Sequence, residues 1–125
     1  NGIFSSRGNS PVEIEKEIDP ILLSSKTAVT IGLMVNEIAT NAVKYGFNER
    51  EKPVFTLRMK EEPENDRYIL YMSNSGNPLP EDVDIENPNT LGFQLIGAFV
   101  NQLNGSLEVT RRPHPEFTFR LPVEH

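Results

Sequence analysis

Three side chains in the stretch NEIATNAVKYGF, residues 36–47, could do chemistry together: the carboxylate of Glu37, the carboxamide of Asn41 and the ammonium of Lys44. They fall at i, i+4 and i+7, so on a helix they share one strip beside an apolar stripe. A solvated helix face with a single ion pair would account for the two charges. It does not account for Asn41, because a mid-helix asparagine competes with the backbone for hydrogen bonds and is a weak helix former. A carboxamide oxygen suits Mg²⁺, which keeps several waters and shares the rest of its octahedron with phosphate oxygens. A carboxylate one turn earlier could orient a water or accept a proton, and an ammonium one turn later could meet phosphate charge. One helix edge would then carry a metal ligand, a base and a cation.

Two further clusters stand downstream. NSGNPLP, residues 74–80, follows a strand-like run, and its glycine permits a sharp turn and close backbone approach by a ligand. TLGFQLI, residues 90–96, puts a glycine at a helix start, where backbone amides are uncovered for an anion. Singly these read as a Pro-Gly turn and an ordinary helix start.

The elements that must position these clusters follow from periodicity. Residues 1–10 are rich in Ser, Gly and Asn without a period and read as a flexible arm or linker end, with the domain proper spanning 11–125. VEIEKEID alternates as a half-buried strand stopped by Asp19-Pro20. From Ser25 to Tyr45 the apolar residues Ile31, Val35, Ile38, Ala42 and Tyr45 recur at steps of four and three, which predicts a long helix. KPVFTLRMK and RYILYMS are β-rich runs around the polar EEPEND, an antiparallel hairpin with a loop longer than a tight turn. Residues 74–90 have no period and are too long for an ordinary connection in a small domain. A second helix is expected from Leu91 to Leu103, with Leu95, Ile96, Phe99, Val100 and Leu103 on one face, Thr90 as cap and Asn104-Gly105 as stop. SLEVTRR and EFTFRLP close the chain as two strands joined through Pro-His-Pro. This order predicts an α+β two-layer sandwich, a mixed, mostly antiparallel sheet with helices on one face. Its expected core includes Phe55, Leu57, Ile69, Tyr71, Leu107, Val109, Phe117 and Phe119.

Composition bounds the function. The 125 residues suit one domain that buries roughly two thirds of the surface its unfolded chain exposes. The net charge of −6 disfavours a nucleic-acid partner but not a mononucleotide, which one or two local cations and helix-end amides can hold. With no cysteine, disulfides, thiolate metal sites and thiol catalysis are excluded, as expected for a reducing, cytoplasmic setting. No apolar run approaches the roughly 20 residues of a spanning helix, so no direct membrane contact is expected.

In this order and spacing the three clusters resemble the boxes of the ATP-binding catalytic domain of sensor histidine kinases, in the GHKL superfamily with its Bergerat fold. NEIATNAVKYGF resembles the N box, NSGNPLP the Asp-Asn-Gly-x-Gly-x-Pro box, and TLGFQLIGAFVNQLNGSLEV the Gly box with its helix and strand. The resemblance covers residues from about Val12 to Pro122. The short lid and the KYGF ending look most like the group whose preceding domain is of the second dimerisation-and-phosphoacceptor type. A Trp-x-Glu group matches less well, as the chain has no Trp. The resemblance implies ATP and Mg²⁺ as cofactors, with Asn41 as metal ligand, Glu37 at the acidic position before it, Lys44 at the phosphates and Tyr45 beside base or sugar. It implies that Gly76 lets the adenine lie against backbone, that residues 82–89 form a lid, and that Leu91 and Gly92 approach the phosphates. Leu79, Thr90 and Leu95 complete the implied nucleotide site. The implied partners are an upstream phosphoacceptor-histidine dimerisation domain, a response regulator indirectly, and a second copy in a homodimeric full-length protein.

The departures from the family's pattern fall at the adenine end. The base-reading Asp is Asn74, the second box glycine is Pro78, and the Gly-Thr before the last strand is His114-Pro115. Asn74 still accepts a hydrogen bond but without charge assistance, which predicts affinity weakened by about 1–3 kcal/mol. His114 and His125 lack the helical, acid-flanked setting of a phosphoacceptor, and Pro-His-Pro reads as a turn. Three functions fit: a sensor-kinase catalytic domain, a degenerate signalling module that binds nucleotide poorly, and a serine kinase of the anti-sigma-factor type. The linker-like start disfavours the third.

Overall fold

The computed structural model describes residues 13–42, 53–78 and 91–123. The flexible arm expected at residues 1–10 therefore lies outside the described residues. In chain order the elements are β1 (Glu13–Ile18), α1 (Ser25–Asn41), β2 (Val54–Glu62), a 3₁₀ turn (Pro63–Asn65), β3 (Arg67–Asn74), α2 (Leu91–Gln102), β4 (Ser106–Thr110) and β5 (Glu116–Pro122). The strands form a five-stranded sheet in the order β1-β2-β3-β5-β4, with β1 and β2 parallel and every other pair antiparallel. The expected α+β architecture is the observed one, with a mixed and mostly antiparallel sheet and, among the described residues, two helices.

Helix α1 starts where Ser24, in extended backbone, accepts from the Thr27 amide at 3.2 Å, a cap of the kind that contributes about 1 kcal/mol. It buries Ile31, Met34, Ile38 and Ala39 against the sheet, with Ala42 just beyond its end. Helix α2 buries Phe93, Ile96 and Val100 on the same core. Asn104, at φ 56°, stops it in the left-handed conformation that follows many helices. Gly105 then passes so close to β5 that a Cβ there would sit 2.8 Å from the Arg120 carbonyl oxygen. The β2–β3 connection is tighter than expected. β2 runs on through Glu62, one 3₁₀ turn reverses the chain, and Asp66 at φ 53° leads into β3.

Register decides which side of each strand is inside. Phe55, Leu57 and Met59 of β2 stand opposite Asn74, Met72 and Leu70 of β3, and Leu70 and Met72 stand opposite Phe119 and Phe117 of β5. The inward residues of β3 are thus Tyr68, Leu70, Met72 and Asn74, all buried. Two of the expected core residues, Ile69 and Tyr71, are half-buried on the other face instead, where the Arg58 guanidinium lies 5.4 Å from the Tyr71 ring centroid. RYILYM is apolar in both parities, so alternation alone could not assign its faces, and the pairing with β2 and β5 does. Leu95, expected on the apolar face of α2, is exposed, and Phe93 takes the inward position at that end, its ring 6.4 Å from that of Phe117.

Candidate functional site

The topology gathers the described parts of the three clusters at one end of the sandwich. Parallel strands need a crossover, and α1 supplies it: the chain leaves the far end of β1, returns along α1, and enters β2 at Val54. Asn41, at the end of α1, therefore lies at the end of the sheet where β2 begins. Antiparallel pairing brings the end of β3 and the start of β5 to that same end, with Asn74 opposite Phe55 and Glu116 opposite Ser73. Helix α2 passes directly into β4, whose first residue, Ser106, pairs with Arg120 near the opposite end. The start of α2, Leu91 and Gly92, thus also returns to the Asn41 end.

On the helix edge, the Asn41 Nδ2 donates to the Glu37 carbonyl at 2.8 Å. Since a carbonyl only accepts, the amine end of the carboxamide is committed to the helix backbone and Oδ1 is the end turned away from it. That orientation fits a hard cation, which takes oxygen ligands. The backbone bond also answers how a mid-helix asparagine is tolerated here, by satisfying its own donor one turn back. Glu37 and Asn41 are both half-buried.

The other wall is built from three strand ends. Asn74, only 3% exposed, is the one asparagine on the helix-covered face of β3, and its Nδ2 makes a long contact of 3.4 Å to the Ser75 carbonyl. Ser75 is fastened twice to the start of β2: its amide donates to the Val54 carbonyl and its Oγ accepts from the Val54 amide, each at 2.9 Å. Gly76, at φ 105°, takes a backbone conformation that side chains disfavour. Its carbonyl oxygen lies 3.1 Å from His114 Nδ1, and the Asn74 amide reaches the Pro115 carbonyl at 3.4 Å. His114, read from sequence as part of a turn, is thus in contact with Gly76. The signal was its place at the position where the resemblance expected Gly-Thr; the contact itself depends on the β3–β5 register.

Of the residues expected at the site, the structure brings Glu37, Asn41, Asn74, Gly76, Leu91 and Gly92 to one end of the fold. Leu95 follows on α2 as an exposed residue. Lys44, Tyr45, Leu79 and Thr90, with the expected lid at 82–89, lie outside the described residues. Among the described residues, no group of three or more His, Asp or Glu side chains could hold a metal ion.

No family model matches the chain. A curated relative does: blue-light-activated histidine kinase 2 of Erythrobacter litoralis is 30% identical over 104 residues, 83% of this chain and 30% of the relative. Among solved structures, the histidine kinase domain of the Erythrobacter litoralis blue-light-activated histidine kinase EL346 superposes with a TM-score of 0.85 at 27% identity, over 97% of this chain and 56% of that one. By fold and by sequence, the chain belongs with the histidine kinase catalytic domains. The catalytic domain of histidine kinase ThkA, at 15% identity and a TM-score of 0.67 over 89% of this chain and 79% of its own, shares the fold. The chain spans about 30% of the length of the curated relative it matches.

Proposed function

We propose that this domain binds Mg-ATP between α1, the end of β3 and the start of α2, and transfers the γ-phosphoryl group to a histidine on a separate phosphoacceptor domain. The observation that carries the reading is the commitment of Asn41 Nδ2 to the Glu37 carbonyl, which turns the carboxamide oxygen outward on the helix edge. The kinship with a histidine kinase supports the reaction. Bound at Asn41, Mg²⁺ would supply charge neutralisation for the phosphates.

The chain's own residues do the rest by positioning and charge. Lys44 would meet the phosphates one turn beyond Asn41, and the first amides of α2, at Leu91 and Gly92, would add donors there. Glu37 would accept the proton that the attacking imidazole releases as its nitrogen bonds to phosphorus and ADP departs. Gly76 would let the base lie against backbone, with Asn74 reading its edge and Tyr45, Leu79, Thr90 and Leu95 completing the walls. In the full-length protein this domain would work within a cytoplasmic homodimer, and a response regulator would take the phosphoryl group from the histidine. The residues support a short-lid domain that follows a phosphoacceptor domain of the second type.

A second reading is a signalling module with little nucleotide affinity. It draws on Asn74, where a carboxamide donating to Ser75 stands in the place of the family's carboxylate. Calorimetric titration with an ATP analogue and Mg²⁺ separates the two. Binding by the wild type that loses its magnesium dependence in Asn41→Ala supports the kinase; binding that emerges only in Asn74→Asp supports the module.

A further inference from the structure

We propose that His114 is a positioning residue of the base end: its Nδ1–H holds the Gly76 carbonyl and so sets the face that the Gly76–Asn77 peptide shows to a ligand. The proposal rests on the nucleotide-binding reading and adds to it a residue from a different strand connection.

Gly76 is the weak link of its wall. At φ 105° and without a Cβ, it has no side chain through which packing could hold it, and the peptide that follows it can rotate at small cost. The two bonds between Ser75 and Val54 fix the residue before. They do not fix the peptide after. His114 does, through an Nδ1 to oxygen distance of 3.1 Å across a separation of 38 residues. The segment that carries His114 is itself held, because the Asn74 amide reaches the Pro115 carbonyl and β5 begins at Glu116 opposite Ser73.

The chemistry of the contact is one-way. A peptide oxygen only accepts, so the imidazole must carry its proton on Nδ1, and the neutral ring then presents Nε2 as an acceptor. The side chain is exposed, so the bond adds little to global stability. Its effect falls on the orientation of one peptide beside Asn74. This is how the chain can keep a defined base end where the sequence pattern of its family is broken: a side chain from one departure holds the backbone next to another.

The test uses the whole chain with four readouts. Replacing His114 with Leu removes the donor, while His114→Asn keeps an amide nitrogen at the same distance from the backbone. For an ATP analogue with Mg²⁺, His114→Leu is expected to raise Kd about fivefold, the scale of one hydrogen bond, with an unchanged melting temperature. His114→Asn should bind within about twofold of wild type, since its amide can replace the lost bond. In the wild type, long-range proton–nitrogen correlation should show the imidazole proton on Nδ1, and the Asn77 amide resonance should move in His114→Leu but much less in His114→Asn. Equal affinity of wild type and His114→Leu, or a neutral ring protonated on Nε2, overturns the proposal. If the wild type does not bind, the affinities are compared in the Asn74→Asp background; silence there too overturns the nucleotide reading and this proposal with it, whereas binding without a difference overturns this proposal alone.

Discussion

The two walls of the candidate site are made in different ways. On the helix edge, Asn41 is oriented by its own helix, through a bond to the residue four positions earlier. On the base side, Ser75 and Gly76 are held by Val54 and His114, 21 and 38 residues away along the chain. One wall is local and survives as long as α1 does. The other exists only when β2, β3 and β5 are in register. A ligand that spans both would report on the whole fold.

The comparison can be broken by removing what both walls share. Phe119 is fully buried in the central sheet, and Phe119→Ala should cost about 3–5 kcal/mol, lowering the urea midpoint and abolishing ligand binding at both walls together. Loss of one wall without the other in that variant would show that they are not carried by a common core. Next in size, Gly105→Ala forces a Cβ against the Arg120 carbonyl and should destabilise by about 1–3 kcal/mol, measured by chemical denaturation, while leaving nucleotide affinity of the folded fraction intact because it lies at the opposite end of the sheet.

Two substitutions sharpen the contrast between the walls themselves. Ser75→Ala leaves the Val54 amide without its hydroxyl acceptor and should cost about 1 kcal/mol in stability, with a parallel loss of affinity in titration calorimetry. Asn41→Ala should instead remove magnesium-dependent binding with stability unchanged or raised by about half a kcal/mol, because alanine is the better helix former. A stability cost at the non-local wall and none at the local one is what the contrast predicts.

The smallest effect is a control distant from both. The Glu62 carboxyl is held below its ordinary range by hydrogen bonds from Asn65 and then Arg67, at the hairpin turn. A depressed carboxyl contributes stability above its unfolded value of 4.5, and that contribution is lost as pH falls through the folded value. Glu62→Gln should flatten the acid limb of stability below pH 4.5 slightly, as read by denaturation at several pH values, and leave binding near neutrality untouched.

The same division between local and non-local explains what the sequence revealed. Both helices, the hairpin and the closing strands rest on short-range patterns, and each was legible from spacing. The face of β3 was not, because Tyr68, Leu70 and Met72 compete with Ile69 and Tyr71 as apolar alternatives and only the neighbouring strands choose between them. The outward position of Leu95 was hidden for a related reason: a stripe drawn on α2 alone cannot show that Phe93, buried against Phe117, takes the inward place at that end. His114 was legible as a departure but not as a contact, since its partner lies on another strand connection.

The hairpin turn at Pro63–Asn65 closes β2 and β3 at the end of the sheet away from Asn41, Asn74 and Gly76. Glu64 on that turn is exposed, and its neighbours already reverse the chain by way of Asp66. A fluorophore or affinity handle attached there would ride on the molecule as a remote reporter, able to follow tumbling and assembly without shading the candidate site.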